Sequence, residues 1–260
     1  MARSTKTQKA LNVNAAHGLL SRGVSVTEER AALLEYVAKR KLILDLLAKY
    51  QGYDDEEERL NYLESAVHRV ICPTNVTSHD VDVNNHNLWV IDDRLTFYDF
   101  WASDKTIKSF VTGSASDDRP DIVLFKGSTL FHRPGVAQPI VIVEFKRPAR
   151  TTYDDEENPI SQVYSYIRSL RGKEVRDKAG ALITSIDTQT PFFCYVIADI
   201  TPKLEQMLIE QQINRPLPGG RGFFGFHPDY NAYVEVIHYN KLIEDARLRN
   251  EVFFRKLGIN

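Results

Sequence analysis

Apolar residues recur at helical intervals in the first part of the chain. One such stripe predicts a helix over about 27–50, and a second predicts a helix over 54–71 that Pro73 ends, because proline cannot continue a helix. The first 25 residues are polar and rich in small side chains, which predicts a flexible N-terminus. The two stripes consist of Leu33, Val37, Leu44 and Leu47, and of Leu60, Leu63, Val67, Val70 and Ile71.

Short continuous apolar runs predict β-strands in the remainder of the chain. Residues 121–125 (DIVLF) and 140–146 (IVIVEFK) are predicted to be neighbouring strands, joined by a loop that contains Gly127 and Pro134-Gly135. Residues 192–200 (FFCYVIADI) form the most apolar run and are predicted to be a central strand. Other strand-like pieces are NLWVID, RLTFYDF, GFFGF and AYVEVIHY, and the glycines before GFFGF predict a hairpin turn.

Helices alternate with these strands after Pro120, so the pattern predicts an α/β fold. Asn158-Pro159 is a strong helix start, with asparagine as the N-cap and proline in the first turn, and the helix is predicted to reach Leu170. Two more helices are predicted, over 202–213 and 240–257.

Composition gives the chain the character of an ordinary core-forming protein. Of its 260 residues 43% are hydrophobic and 26% are charged, and a net charge of -2 shows no overall basic signature of a nucleic-acid-binding protein. Cys72 and Cys194 lack a CxxC spacing and are predicted to be buried thiols, while His68, His79 and His86 are too irregularly spaced for a zinc site. Without a long apolar stretch or a secretory signal, we expect a cytoplasmic protein that does not enter a membrane.

The strand at 140–146 carries two charges that a buried strand would not ordinarily hold. Glu144 and Lys146 are two residues apart, so their side chains point to the same face. Asp121 opens the preceding strand, and the pairing of the two strands would bring its carboxylate to the same sheet edge as Glu144. Two carboxylates together with the phosphates of a substrate favour Mg²⁺, and a neighbouring ammonium could orient water or stabilise charge developing on phosphorus.

Three motifs in this region resemble the PD-(D/E)xK, or restriction-endonuclease-like, nuclease superfamily. They are RPD at 119–121, VEFK at 143–146 and QVYSY at 162–166, in the order that the superfamily shows. The resemblance implies a mixed β-sheet flanked by helices in a nuclease-like domain over 54–260, with 26–53 as a helical extension. It also implies a divalent metal, Mg²⁺ with Mn²⁺ as a substitute, and hydrolysis of phosphodiester bonds in DNA or, less often, RNA.

The resemblance also implies roles for individual residues. Asp121 and Glu144 would bind the metal, with the Phe145 carbonyl as a further ligand, and Lys146 would be the catalytic lysine. Gln162 and Tyr166 match the helix motif and would orient that lysine or the substrate strand.

An additional acidic ligand is expected on the helix that precedes the first core strand. Glu64 is the candidate, because it lies at the edge of the apolar stripe of the 54–71 helix; Asp92, Asp93 or Asp99 could replace it. Four arginines flank the motifs in sequence and are predicted to contact the phosphates of nucleic acid: Arg147, Arg150, Arg168 and Arg171.

A second resemblance concerns the order of the segments before the nuclease motifs. YVAKRKLILDLL, ESAVHRVICPTN and HNLWVIDDRLTFYDFWASDK are similar to the C-terminal region of large GHKL-type ATPases. This similarity implies a fragment of a larger protein that acts with an ATPase domain or subunit in repair, restriction or phage defence. The chain has neither a P-loop nor a GxGxxG motif of its own.

The sequence is also compatible with two other functions. The chain could be an inactive module of nuclease fold that binds nucleic acid or a partner protein. It could also be a regulatory or dimerisation domain of an ATPase, in which case a homo-oligomer is expected.

Overall fold

A computed structural model describes residues 26–51, 59–82, 85–126, 138–148, 150, 152–154 and 157–259. In the helices, the side chains of 26–30, 51 and 59–63 are not described. The predicted flexible N-terminus and the loop containing Gly127 and Pro134-Gly135 lie outside the described residues.

The helices agree closely with the predicted ones. They are α1 (Val26–Gln51), α2 (Arg59–Ile71), α3 (Pro159–Leu170), α4 (Pro202–Glu210) and α5 (Tyr239–Leu257). Helix α4 ends before the predicted Ile213, because Gln212 adopts a left-handed backbone with φ of 60°. None of the described helices has both the length and the apolar character needed to cross a membrane.

The strands form one large sheet and one small sheet. They are β1 (Val76–Thr77), β2 (Phe100–Ser103), β3 (Val111–Thr112), β4 (Ile122–Phe125), β5 (Ile140–Phe145), β6 (Glu174–Arg176), β7 (Leu182–Ser185), β8 (Phe192–Ile197), β9 (Arg215–Pro216), β10 (Gly222–His227) and β11 (Ala232–Ile237). The eight-stranded sheet has the order β1-β2-β4-β5-β8-β11-β10-β9, and β3-β6-β7 form the smaller sheet.

The large sheet is mixed, and its centre confirms the predicted strand arrangement. β4 pairs antiparallel with β5, so that Ile122 lies opposite Val143. β8 lies between β5 and β11 and is parallel to both. The fold is therefore a mixed α/β structure in which helices flank an eight-stranded sheet.

Alternating side chains of the sheet supply the core beneath α3 and α4. One cluster of buried residues joins β4, β5, β8 and β11 to both helices, and its members include Val123, Ile142, Val196, Val236, Val163, Ile167 and Leu204. Cys72 and Cys194 are buried free thiols, as predicted.

The strand predictions for NLWVID and RLTFYDF are wrong. Leu88–Val90 and Asp93–Phe97 are 3₁₀ helices, and β2 begins only at Phe100. Side-chain hydrogen bonds hold the start of each segment, and such bonds compete with strand pairing. The Asn87 amide donates to the Val70 carbonyl at 2.6 Å, and the Asp92 carboxylate accepts from the Arg94 backbone N–H at 2.8 Å.

The predicted hairpin turn before GFFGF is confirmed. β9 and β10 pair antiparallel, and Gly219 and Gly220 between them have φ of 78° and 73°. In β10, a Cβ on Gly225 would lie 2.8 Å from the Ile213 Cα, so only glycine fits there without a shift of the neighbouring backbone.

The chain divides into two compact units. Residues 44–249 form one, which holds the whole large sheet; the described part of the other consists of 26–43 and 250–259. In the smaller unit, Arg40 Nη1 donates to Asn250 Oδ1 at 2.9 Å. The boundary at residue 54 expected from the motifs stays a prediction.

Candidate active site

Asp121, Glu144 and Lys146 meet at one end of the β4–β5 pair. Asp121 immediately precedes β4, Glu144 is the fifth residue of β5, and Lys146 follows that strand. Because Ile122 pairs with Val143, continuation of the antiparallel register places Asp121 beside Glu144.

Both carboxylate oxygens of Asp121 have partners. Oδ2 accepts a hydrogen bond from the Phe145 backbone N–H at 2.7 Å, and Oδ1 lies 3.5 Å from His68 Nδ1. The orientation of this carboxylate is therefore set from two sides, by the end of β5 and by α2.

Lys146 is a buried lysine whose ammonium links two elements. Its side chain reaches back to Glu144 Oε1 at 2.8 Å and across to Gln162 Oε1, on α3, at 2.5 Å. Lys146 is only 7% exposed and Glu144 only 5%. Charges at this depth require a partner, and the two residues provide it for each other.

Glu144 Oε2 is a buried carboxylate oxygen. Among the described residues it accepts no hydrogen bond of good geometry, although the Tyr166 hydroxyl interacts with the Glu144 carboxylate. Burial, followed by the negative charge of Asp121, raises the pKa of Glu144, while Lys146 opposes the shift. A buried, unsatisfied carboxylate oxygen beside a second carboxylate is a favourable position for a cation.

Glu64 approaches the same carboxylates from α2. Burial and the charge of Asp121 raise its pKa, whereas the charge of Lys146 and a hydrogen bond from the Arg147 backbone N–H lower it. Glu64 is therefore the upstream acid that the structure brings to the site.

The three alternative upstream acids lie elsewhere. Asp92 forms an ion pair with Arg94, and Asp93 Oδ2 lies 3.4 Å from Arg249 Nε. Asp99 precedes Phe100, which pairs with Phe125 at the end of β4 remote from Asp121.

Tyr166 lies one helical turn after Gln162 on α3 and is 8% exposed. Burial raises the pKa of its hydroxyl, and the nearby carboxylates of Glu144 and Asp121 raise it further. The two residues of the helix motif therefore both face the site. Neither forms the solvent-exposed helix surface that their positions outside the apolar stripe would suggest.

Three contacts at the site involve residues without a predicted role. His68 Nε2 and Ser103 Oγ share a hydrogen bond of 2.8 Å, and the His68 ring packs on Phe145 with centroids 5.4 Å apart. The Tyr239 hydroxyl donates to the Lys146 carbonyl at 2.6 Å. The sequence could have indicated His68, because it follows Glu64 by four residues and so lies on the same face of the helix. It could not have indicated Tyr239, which is 93 residues from Lys146.

Of the four predicted arginines, the structure brings Arg147 and Arg150 near the site. Arg147 follows Lys146 directly, and the Arg150 side chain lies over the Tyr153 ring at 4.6 Å while Nε donates to the Thr152 carbonyl at 2.7 Å. The charge of Arg150 and the backbone of Arg147 both act on Glu64.

Arg168 and Arg171 lie at the other end of the sheet. Arg168 Nη1 donates to the Tyr230 hydroxyl and Arg171 Nη1 to the Asp229 carbonyl, each at 2.8 Å. Both partners come just before β11. The first residue of β11, Ala232, pairs with Phe192 of β8, and Phe192 pairs with Ile140 at the start of β5. The structure therefore does not bring these two arginines to Glu144, at the end of β5.

The oxygen atoms at the site are of the kind that Mg²⁺ prefers. Among the described residues, however, no group of three or more His, Cys, Asp or Glu side chains is arranged to hold a metal ion. Asp121 and Glu144 lie side by side at the end of the strand pair, and the ligand role of the Phe145 carbonyl stays a prediction.

No protein-family model, curated protein or solved structure matches the chain. The resemblance to PD-(D/E)xK nucleases therefore depends on the sequence motifs.

Proposed function

We propose that the protein is a metal-dependent nuclease with a restriction-endonuclease-like fold, which hydrolyses phosphodiester bonds of nucleic acid, with DNA as the expected substrate. The observation that carries the proposal is the buried ammonium of Lys146, held by Glu144 Oε1 and Gln162 Oε1 beside Asp121. An ion pair of this kind is a poor source of stability, since burying both charges costs about as much as their attraction returns. Its position at the end of central strands, with an unsatisfied carboxylate oxygen, favours a chemical role.

The residues present fit a divalent metal. Glu144 Oε2 accepts no hydrogen bond of good geometry from the described residues, and Asp121 and Glu64 add negative charge around it. Mg²⁺ is commonly held by one or two carboxylates, with waters and substrate phosphates completing its shell, so a larger protein cluster is not required. Asp121 and Glu144 would hold the ion, with Glu64 and the Phe145 carbonyl as further candidates. When bound, the ion would polarise the phosphate and lower the pKa of a coordinated water.

The side chains around that position would orient and stabilise the reacting groups. An ammonium has three N–H donors, and Lys146 uses two for Glu144 and Gln162. The third could donate to the attacking water or to a phosphoryl oxygen, where a fixed positive charge stabilises the transition state. The Tyr166 hydroxyl, with its raised pKa, stays protonated at neutral pH and would donate its one proton either to Glu144 or, when substrate is bound, to the substrate strand.

A cleavage assay tests the proposal. Purified protein is incubated with supercoiled, linear and single-stranded DNA, and with RNA, in Mg²⁺ or Mn²⁺. We expect Lys146→Ala and Glu144→Ala each to reduce the cleavage rate by about 100-fold or more, the magnitude typical of a lost charge-stabilising group.

Matched controls are available on the surface. Lys178 pairs with Asp80, and Glu174 pairs with Arg176, in exposed ion pairs. Lys178→Ala and Glu174→Ala should cleave at the rate of the natural protein. If Lys146→Ala cleaves as fast as the Lys178→Ala control, the assignment of the site is wrong.

A binding module without catalysis is the second candidate. It is the alternative that the sequence leaves open, a module of nuclease fold that binds nucleic acid or a partner protein. Titration calorimetry with Mg²⁺ and Mn²⁺ separates the two candidates. A folded protein that binds nucleic acid but neither metal would support the binding module.

A further inference from the structure

We propose that Tyr239 is a positioning residue for Lys146, an inference that depends on the proposed nuclease function. Tyr239 is the first residue of α5 and is 2% exposed. Its hydroxyl donates to the Lys146 backbone carbonyl at 2.6 Å, a short hydrogen bond across 93 residues of sequence.

The Lys146 carbonyl lies just beyond the end of β5, where its hydrogen-bond donor has to come from outside the strand ladder. β5 ends at Phe145, and the Lys146 N–H still donates to the Ile197 carbonyl of β8 at 2.8 Å. Pro148 follows two residues later and has no N–H with which to extend the ladder. A buried carbonyl without a donor is costly, and the Tyr239 hydroxyl fulfils the requirement.

The two backbone contacts set the point from which the Lys146 side chain extends. Its N–H is held by β8 and its carbonyl by α5, while Nζ is held by Glu144 and Gln162. A displacement of about 1 Å at a catalytic group can reduce a rate severely. Loss of the Tyr239 hydroxyl would free one of these four contacts without removing any atom of Lys146.

Tyr239 has the properties of a fixed donor. Burial, together with the negative charges of Glu64, Asp199 and Asp121, raises the pKa of its hydroxyl well above 10. The hydroxyl therefore keeps its proton throughout the neutral range and donates it to a backbone carbonyl. Tyr239 thus acts on the substrate only through Lys146.

Tyr239→Phe tests the inference, with Tyr164→Phe as the matched control. Each substitution removes one buried hydroxyl, but the Tyr164 hydroxyl has no hydrogen-bond partner among the described residues. For Tyr239→Phe we expect kcat to fall about tenfold, the rate equivalent of one lost buried hydrogen bond. KM and the Kd for Mg²⁺, measured by calorimetry, should stay within about twofold of the natural protein, and Tyr164→Phe should match it in all three.

A double variant distinguishes positioning from general destabilisation. If both residues act through Lys146, Tyr239→Phe combined with Gln162→Ala should reduce kcat by a factor different from the product of the single effects. All variants are assayed well below their unfolding transitions, which thermal denaturation locates.

The outcomes separate this inference from the proposed function. If the natural protein cleaves, Lys146→Ala does not, and Tyr239→Phe keeps the natural kcat, only the role of Tyr239 is overturned. A fall in kcat accompanied by an equal weakening of Mg²⁺ binding would also overturn it, because the effect would then not be specific to the lysine. If the natural protein cleaves no nucleic acid, the proposed function fails and the inference falls with it.

Discussion

Glu144 is almost completely buried, and the consequences are visible in single residues. Its pKa is raised mainly by burial, and that of Glu64 is raised by burial and by Asp121. A protonated carboxyl is the less costly form in this setting, so the native protein holds protons at these groups at a pH where the unfolded chain has released them.

The stability of the metal-free protein should therefore fall as pH rises. The ordinary pKa of a glutamate is 4.5, and the stabilisation is complete below that value and is lost as pH rises through the raised native pKa. Each unit by which the native pKa exceeds the unfolded one corresponds to roughly 1.4 kcal/mol. Urea unfolding at pH values from about 5 to 9, in the presence of a chelator, measures this slope.

Glu144→Gln should reduce the slope and leave the part due to Glu64 and Glu235, whose pKa values are also raised by burial. Glu174→Gln, at an exposed ion pair, should leave the slope unchanged. The lowered pKa values of Asp80 and Asp187 affect stability only at more acidic pH, so they do not interfere. A natural protein whose stability is constant or increases over this range would contradict the prediction.

At the scale of the element, α3 links a local sequence signal to the site. The Asn158 side chain accepts hydrogen bonds from the Ile160 and Ser161 backbone N–H groups, at 2.9 and 3.3 Å, and Pro159 starts the helix. The helix packs on β5 and β8 and presents Gln162 to Lys146. The cap therefore contributes both to stability and to the position of the lysine.

Asn158→Ala should reduce both the stability of the protein and its cleavage rate. Loss of the corresponding cap of α4 should reduce the stability only. Thr201 caps α4 through a hydrogen bond from the Leu204 N–H at 3.2 Å. We expect Asn158→Ala and Thr201→Ala each to cost about 1 kcal/mol of unfolding free energy. Cleavage should slow several-fold in Asn158→Ala only. Equal activities of the two variants at equal stability would show that the start of α3 does not position Gln162.

At the scale of the whole molecule, the sheet and its helices concentrate negative charge at one place. Glu64, Asp121 and Glu144 come from α2, from the residue before β4 and from β5, and Lys146 supplies a positive charge among them. A divalent cation that binds there would stabilise the folded state only, since the unfolded chain separates these carboxylates.

Mg²⁺ should therefore raise the unfolding temperature of protein freed of metal by a chelator. At a concentration about 100 times its Kd, the ion would add about 2.7 kcal/mol of stability. Asp121→Asn should lose this increment, while Asp80→Asn, at an exposed pair with Lys178, should retain it. Differential scanning calorimetry with and without Mg²⁺ measures the increment, and a response that Asp121→Asn leaves intact would place the ion elsewhere.

Much of the fold could be predicted because its signals are local. The Asn158-Pro159 cap, the stripes of α1 and α2 and the apolar run of β8 depend on neighbouring residues alone. Prediction failed in two places. NLWVID and RLTFYDF contain 3₁₀ helices, each preceded by a residue that makes a side-chain hydrogen bond, and β3, β6 and β7, which form a second sheet, were not foreseen. Short strands of two to four residues contain too few alternations to show a period.

The sequence by itself identified the residues of the candidate chemistry. Asp121, Glu144 and Lys146 were found from the pattern of the strands, and Gln162 and Tyr166 from the resemblance of their motif to a nuclease family. Only the tertiary structure decided how these residues are held. Four features depend on segments that are far apart in sequence. They are the choice of Glu64 among four acids, the contact of His68 with Asp121, the Tyr239 hydrogen bond, and the position of Arg168 and Arg171 away from Glu144. The physical reason is that periodicity and capping report local backbone preference, whereas long-range contacts arise only when the whole sheet and its helices pack together.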